Sequence, residues 1–284
     1  MQLIESHKVP ALEKSIRLQD YGVGIFSTNP TKSGLKKAIK KGLVFVDGKI
    51  ATTALYIIGN ETIEFFQSEE NRKEFDFDLK VLFEDDFLAV IYKPAGILVS
   101  GNSFATIDNA LFQNIKKSTQ TDAVKPRPVH RLDYPTSGLL LIGKTNSSII
   151  ALNKLFENKE IQKKYHAISI GKMETQGTIK LPIDDKKSLT HFKVLKTVTS
   201  ERFGFLNLVK LSPKTGRKHQ LRKHLASLGN PILGDKEYYL DNLILNGKGL
   251  YLHASTLEFV HPFTKENIRV SENLPKKFKK IFPH

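Results

Sequence analysis

The chain has 284 residues and no cysteine, which excludes disulfides, iron–sulfur clusters and thiolate zinc sites and fits a cytoplasmic location. Its 44 lysines and arginines outnumber its 29 acidic residues, and the net charge of +15 indicates a polyanionic partner, either nucleic acid or an acidic membrane surface. The hydrophobic content of 40% is too high for a disordered chain, and the apolar runs are far shorter than the ~18 residues of a membrane span. We therefore expect a soluble, basic, globular protein that binds nucleic acid and no membrane.

A small unit is indicated between residues 16 and 66. Ser33 precedes a short helical segment at 35–41, as an N-cap does, and Gly42 follows as a stop. Residues 43–51 then predict a β-hairpin, because two apolar runs flank an Asp-Gly turn.

The helical segment of this unit carries several lysines and almost no acid. A lysine-rich face is usually only solvated. Here it directly precedes a tight hairpin in a strongly basic chain, which favours RNA binding. The candidate RNA-binding residues of this unit are Lys36, Lys37 and Lys40.

A charged segment at 68–77 is interpreted as a linker between a domain at 1–67, which includes an N-terminal arm, and a domain at 78–284. The second domain alternates between several strand-like and few helical segments. Strands are predicted at 79–83, 88–92, 139–142, 165–170, 205–211 and 250–259, and helices at about 106–117, 146–157 and 219–227. The helices are too few for regular βαβ alternation. We therefore expect an α+β fold with a mixed, largely antiparallel sheet and flanking helices, beside the small N-terminal α/β domain.

Residues 138–145 match the nucleotide-binding pattern G-x-x-x-x-G-K-[ST] letter for letter. A loop that cradles phosphate needs flexible backbone between its glycines. In this chain the intervening residues are Leu-Leu-Leu-Ile, which predict a buried strand instead. We expect no nucleotide cofactor.

Three polar clusters remain as candidates for chemistry. They contain His130, Arg131 and Asp133; Lys163 and Tyr165; and Arg217, His219 and Arg222, with a block at 229–235 that ends in Asp235. Three of the chain's eight arginines lie in these clusters, and arginine is preferred where a planar fork pairs with a carboxylate, a phosphate or a base edge. From the residues alone, Arg131 or Arg222 either forms a structural ion pair with Asp133 or contacts a ligand. The histidines form no H-E-x-x-H pattern, so we expect no metal site.

The three clusters resemble, in this order, the signature blocks of the RluA-type pseudouridine synthases. Residues 81–96 are similar to the opening strand pair of that family and residues 252–262 resemble its closing one, so that the resemblance covers roughly 78–265. It implies the pseudouridine synthase fold with a central catalytic cleft. Residues 16–66 resemble the S-four-type RNA-binding domain that many of these enzymes carry.

The resemblance implies an isomerase that converts uridine in RNA to pseudouridine without a cofactor or metal. Asp133 matches the catalytic carboxylate, which either attacks C1′ or promotes loss of the 2′ proton, and both routes stay open. Tyr165 matches the tyrosine that packs on the base, and Arg222 the arginine that pairs with the aspartate. Arg131 matches the arginine that fills the place of the extruded base. The candidate RNA-binding residues of this domain are His130, Arg131, Lys163, Arg217 and His219.

We expect large-subunit ribosomal RNA as the substrate because of the added RNA-binding domain, and we expect the enzyme to be a monomer. Transfer RNA is the alternative with the same chemistry. A non-catalytic RNA-binding protein on the same fold is the alternative from another class.

Overall fold

The computed structural model describes residues 1–26, 31–67, 75–240 and 243–283. The chain divides into two units, residues 1–72 and 73–284. Most of the predicted linker at 68–77 lies outside the described residues. Within the described ranges, no helix is both long and apolar enough to cross a membrane.

The first unit combines a four-stranded antiparallel sheet, a short strand pair and two helices around one apolar core. Its elements are β1 (Gln2–Lys8), β2 (Ile16–Arg17), α1 (Leu18–Tyr21), α2 (Lys32–Lys40), β3 (Val44–Val46), β4 (Lys49–Ile50), β5 (Tyr56–Ile57) and β6 (Thr62–Gln67). The sheet order is β1-β6-β3-β4, and β2 pairs with β5. Leu35 and Ile39 of α2 pack in the core with Val44, Ile63 and Phe65.

The predicted helix and hairpin of this unit are confirmed, with one correction at the helix N-terminus. The N-cap is Thr31, whose hydroxyl accepts a hydrogen bond from Gly34 N–H at 3.1 Å, and Ser33 lies inside the helix. The Asp47-Gly48 turn has φ angles of 48° and 76°, which match the left-handed pair that a tight hairpin turn requires.

The second unit holds a ten-stranded sheet with helices packed against it. Its elements are β7 (Val81–Glu84), β8 (Leu88–Lys93), α3 (Ile107–Asn114), β9 (Ala123–Pro128), β10 (Ser137–Thr145), α4 (Asn146–Glu157), β11 (Gln162–Ile170), β12 (Gln176–Ile179), β13 (Thr190–Ser200), β14 (Gly204–Pro213), α5 (Gln220–Ser227), β15 (Leu252–Val260), β16 (Asn267–Ser271) and α6 (Lys276–Ile281). The main strand order is β12-β13-β14-β11-β15-β10-β8-β7, with β16 paired to β15 and β9 paired to β10. This mixed sheet with few helices is an α+β fold, as predicted.

One pairing in the centre of this sheet is parallel, and it involves only two residue pairs. Ser137 lies opposite His253, and Gly138 lies opposite Ala254, where β10 begins beside β15. Gly138 has a φ of 124°, and a Cβ there would lie 2.2 Å from the carbonyl oxygen of Ala254. The two strands can therefore approach at this point only because residue 138 is glycine.

The segment 138–145 is a strand, as the interpretation of its apolar residues predicted. It forms β10, all of whose residues are buried. The Lys144 ammonium pairs with the Glu84 carboxylate at 2.9 Å, so this lysine is engaged within the protein. The segment therefore lacks the exposed loop on which a nucleotide phosphate would bind.

Candidate active site

A cavity of about 440 Å³ opens in the second unit where three segments meet. These segments are the turn that leads into β10, the start of β11 and the loop that leads into α5. All eight candidate residues of the second unit line this cavity, namely Asp133, Tyr165, Arg222, His130, Arg131, Lys163, Arg217 and His219. The fold thus brings together three clusters that are far apart in the sequence.

Asp133 lies in the turn that precedes β10. The Thr136 N–H donates a hydrogen bond to the Asp133 carbonyl at 3.0 Å, which closes the turn. The Asp133 side chain is 21% exposed, and Nε2 of His219 lies 3.8 Å from its Oδ1. The carboxylate is therefore sheltered but still open to a molecule in the cavity.

Lys93, at the end of β8, anchors the turn that carries Asp133. Its fully buried ammonium donates hydrogen bonds to three carbonyl oxygens, those of Pro94 at 2.9 Å, Tyr134 at 3.3 Å and Thr136 at 2.8 Å. These bonds use all three N–H groups of the ammonium. Burial lowers the pKa of Lys93 to about 8, while the negative charge of Asp133 acts in the opposite direction.

Tyr165 enters the cavity from β11, just after an irregularity in the strand. The pairing of β11 with β15 shifts register between Lys164 and Tyr165. Such bulges redirect side chains and are common beside active sites. Burial, and secondarily the negative charge of Asp133, raise the pKa of the Tyr165 phenol. The phenol is therefore protonated at neutral pH.

The predicted pairing of Arg222 with Asp133 is wrong in this structure. The Arg222 guanidinium instead binds Asp235 through two hydrogen bonds, from Nε at 2.7 Å and from Nη2 at 2.6 Å. Nη2 also lies 3.2 Å from a carboxylate oxygen of Glu237. Burial by itself lowers the pKa of Arg222, but the hydrogen bonds and negative charges of Asp235 and Glu237 outweigh it and raise that pKa above its ordinary value.

The burial of Asp235 explains this change of partner. Its side chain is 0% exposed, whereas that of Asp133 is 21% exposed. A buried carboxylate needs a paired cation to stay ionised, and a bidentate arginine meets that need. Asp235 also accepts hydrogen bonds from the backbone N–H groups of Glu237 and Tyr238. Arg222 still lines the cavity, and its Nη1 is buried without a hydrogen-bond partner.

His130 supports the turn rather than presenting a charge. Its Nε2 accepts a hydrogen bond from the Leu141 N–H at 3.0 Å, which ties the turn to β10. Burial, and then the positive charge of Lys163, lower the pKa of His130 to about 3. The imidazole is therefore neutral at physiological pH and cannot attract phosphate as a cation.

Five cationic side chains line the cavity, those of Arg131, Lys163, Arg217, Lys218 and Arg222. Arg131 is exposed, and so is Arg217, whose Nε donates to the Lys187 carbonyl at 3.4 Å. The Lys163 ammonium lies 5.6 Å from the centre of the Phe156 ring, and burial lowers its pKa. Together they give the wall of the cavity a positive character suited to phosphate.

The lysines proposed in the first unit all lie on the exposed face of α2. Lys36, Lys37 and Lys40 are exposed, while Leu35 and Ile39 of the same helix are buried. The helix therefore presents a basic surface to solvent.

Sequence reasoning assigned no role to four residues that shape the site, Lys93, Asp235, Glu237 and Tyr238. Lys93 ends an apolar strand, and this position could have indicated that its side chain is buried and needs hydrogen-bond partners. Asp235 stood in the block that follows the third cluster, but no sequence pattern indicated which arginine it would bind.

The amino-acid sequence of the chain is similar to those of several known proteins. A family model described as RNA pseudouridylate synthase matches residues 87–227. The ribosomal large subunit pseudouridine synthase D of Buchnera aphidicola is 33% identical, and the match covers 88% of each chain. The ribosomal large subunit pseudouridine synthase C of Rickettsia bellii is 30% identical over 88% of this chain and 92% of its own.

Among solved structures, human RNA pseudouridylate synthase domain containing 1 has a similar fold, with a TM-score of 0.57 and 24% identity. The likeness covers 72% of this chain and 86% of the human one. The chain belongs to the RluA family of RNA pseudouridine synthases. It is thus an isomerase that acts on RNA, and not the non-catalytic RNA-binding protein considered as an alternative.

Proposed function

We propose that this enzyme isomerises uridine to pseudouridine in large-subunit ribosomal RNA, with Asp133 as the catalytic carboxylate. The observation that carries the proposal is the position of Asp133, a partly exposed carboxylate beside a neutral Tyr165 in a cavity lined by Arg131, Lys163 and Arg217. Such a cavity accepts a nucleotide whose base and phosphate meet different walls.

The reaction breaks the bond from C1′ to N1 and joins C1′ to C5 of the same base. The proton at C5 leaves, and N1 of the product carries a proton, so the isomerisation is balanced without an oxidant or a leaving group. An ionised Asp133 either attacks C1′ or removes the 2′ proton to give a glycal. Both routes require the carboxylate to face the sugar.

Tyr165 contributes a flat, neutral ring beside Asp133. Because its pKa is raised, the phenol keeps its proton in the free enzyme. It therefore acts by packing on the base and by donating a hydrogen bond. Removal of the C5 proton by Tyr165 would first require the phenol to lose its own proton.

The target uridine has to leave its stack before Asp133 reaches C1′, at a cost of a few kcal/mol. Arg131 is exposed at the cavity, and in this proposal it fills the place that the base leaves. Lys163 and Arg217 contact phosphates, and the net charge of +15 supplies the salt-sensitive attraction to RNA. All these groups belong to one chain, which supports action as a monomer.

The first unit acts in this proposal as the S-four-like RNA-binding domain. Its exposed lysines, Lys36, Lys37 and Lys40, bind the RNA backbone. A second contact raises the effective concentration of RNA at the cavity without selecting the base. The ribosomal target is supported by the names of the relatives from Buchnera and Rickettsia, which refer to the ribosomal large subunit. A cytoplasmic location is part of this proposal.

The proposal is tested with three RNAs that carry tritium at uridine C5, namely large-subunit ribosomal RNA, small-subunit ribosomal RNA and transfer RNA. The enzyme should release tritium from the large-subunit RNA, and Asp133→Asn should not. Release from transfer RNA alone would reassign the substrate. Release by Asp133→Asn at the wild-type rate would remove Asp133 from the mechanism.

A further inference from the structure

His219 has an unusual backbone conformation for a residue that begins a helix. It precedes α5 with φ 55° and ψ 25°, in the left-handed region, and its side chain makes no capping hydrogen bond. Residues at this position usually have extended backbone and a side chain that caps the helix. The left-handed conformation is strained for a residue other than glycine.

The surroundings of His219 separate it from the other residues with this conformation. The described part of the chain has seven non-glycine residues with positive φ, and six of them are exposed: Asp47, Asn60, Lys159, Asp184, Asp185 and Lys265. His219 is the one that is largely buried, with a side chain 15% exposed, and it lines the cavity. Strain that is kept at a cavity indicates a use for the side chain.

The imidazole of His219 lies between Asp133 and a polar pair that follows the buried Asp235. Its Nδ1 is 3.0 Å from the Tyr238 hydroxyl and 3.3 Å from a Glu237 carboxylate oxygen. Its Nε2 is 3.8 Å from Oδ1 of Asp133. The ring is therefore held on one side while its other nitrogen faces the carboxylate.

The Tyr238 hydroxyl is suited to set the proton position on His219. Burial is the largest influence on the Tyr238 phenol and raises its pKa, so the hydroxyl is protonated and can donate to Nδ1. In the tautomer in which Tyr238 donates to Nδ1, Nε2 carries the ring proton and faces Asp133. The guanidinium carbon of Arg222 lies 4.9 Å from the centre of the Tyr238 ring, so Arg222 packs against the residue that contacts His219.

We propose that His219 is a positioning residue for the reaction, whose imidazole, oriented by Tyr238, holds the Asp133 carboxylate in its reactive direction. This inference rests on the proposed role of Asp133. It replaces the predicted role of His219 as an RNA contact, because the ring nitrogens are engaged by protein groups.

The test is His219→Gly, measured by single-turnover tritium release over a range of RNA concentrations, which gives the rate at saturation and the apparent KM. Glycine adopts the left-handed conformation without strain, so the melting temperature should stay the same or rise. The rate should fall by about 10- to 100-fold, because a catalytic carboxylate that is no longer held in its reactive direction lowers the rate by about that factor. KM should stay within about two-fold. Imidazole added to the buffer should restore part of the rate.

Two further variants complete the design. Lys159→Gly relieves the same strain at an exposed position after α4, where φ is 62°, and should keep the wild-type rate. Tyr238→Phe removes one hydroxyl and should lower the rate less than His219→Gly does. The double variant His219→Gly/Tyr238→Phe should be no slower than His219→Gly alone, because Tyr238 acts only through its contact with His219.

A wild-type rate for His219→Gly would overturn the inference, and so would a higher KM with an unchanged rate, which indicates an RNA contact. If His219→Gly fails to fold, Tyr238→Phe carries the test, since an unchanged rate in that variant also overturns the inference. Asp133→Asn in the same assay separates the two proposals. If that variant is inactive while His219→Gly is fully active, only the inference on His219 fails.

Discussion

Asp133 and Asp235 are both aspartates of the second unit, but their surroundings give them different tasks. Asp235 is fully buried and held by two hydrogen bonds from Arg222, so its charge is neutralised within the protein. Asp133 keeps 21% of its side chain exposed, and its carboxylate lies 3.8 Å from the imidazole of His219. Only Asp133 is therefore available to a substrate.

This difference predicts that Asp235→Asn destabilises the fold. The substitution leaves the guanidinium of Arg222 buried without its main counter-charge, which costs about 3–5 kcal/mol of unfolding free energy. Urea denaturation measures the change. Asp184→Asn is the matched control, because Asp184 pairs with Lys223 at the surface and its loss should cost about 0–1 kcal/mol. Equal losses of unfolding free energy in the two variants would show that the pair of Asp235 and Arg222 is not buried as described.

Buried histidines make the stability of the second unit depend on pH. Burial lowers the pKa of His130 to about 3 and that of His253 to about 4, from the usual 6.5. Below pH 6.5 the unfolded chain binds protons at these residues while the folded chain does not. The unfolding free energy is therefore fully present above that pH and falls as the pH drops toward 4.

Urea denaturation at several pH values between 7 and 4 checks this prediction. In His130→Gln, which keeps a hydrogen-bond acceptor, the unfolding free energy should fall less steeply with decreasing pH than in the wild type. His191→Gln, at an exposed position, should leave the slope as it is in the wild type. A wild-type unfolding free energy that is flat across this range would show that these histidines are not buried as described.

At the scale of elements, the short parallel contact between β10 and β15 holds the turn of Asp133 against the rest of the sheet. Gly138→Ala should disrupt this contact, because its Cβ would lie 2.2 Å from a backbone oxygen. We expect a loss of more than about 3 kcal/mol of unfolding free energy, together with the loss of activity. Gly204→Ala, where φ is 69° and no atom lies within 4 Å of the added Cβ, should cost only about 1–2 kcal/mol. Similar losses of unfolding free energy in both variants would show that the contact between β10 and β15 does not require glycine at residue 138.

Elements with strong local signals could be predicted from the sequence. The Asp47-Gly48 hairpin follows from turn chemistry, and the strand in 138–145 follows from its four consecutive apolar residues, even though a nucleotide-binding pattern covers the same letters. The helix at 146–157 was predicted with its observed bounds, and a capping box at Thr145 and Ser148 accounts for its start.

Features that depend on distant partners could not be predicted in this way. β13, at Thr190–Ser200, has many exposed residues, and its strand conformation comes from pairing with β12 and β14. The choice of Arg222 between Asp133 and Asp235 depends on which carboxylate the fold buries, and burial is a property of the folded chain. The resemblance indicated the right residues for the cavity but not this contact.

For the whole molecule, the charge of +15 and the exposed lysines of α2 predict how RNA binding responds to salt. Replacing Lys36, Lys37 and Lys40 together by Gln should weaken binding and reduce the salt slope by about 2, since each lost phosphate contact lowers the slope by about 0.7 on single-stranded RNA. The rate at saturating RNA should not change, because these residues are outside the cavity. Filter binding at several salt concentrations measures the slope.

The control for this prediction replaces three other exposed lysines of the first unit, Lys8, Lys14 and Lys49, by Gln. The change in net charge is the same, so diffuse attraction falls equally. If the two triple variants show the same salt slope, α2 is not a specific contact surface.

The catalytic role of Asp133 is tested most directly by the activity of Asp133→Asn under single-turnover conditions, with RNA affinity measured on the same protein. Asparagine keeps the size of the side chain and removes its charge. We expect tritium release from uridine C5 to fall below detection, while the dissociation constant for RNA stays within about two-fold of wild type, since the cations that bind phosphate are unchanged. Release at the wild-type rate would show that Asp133 is not the catalytic carboxylate.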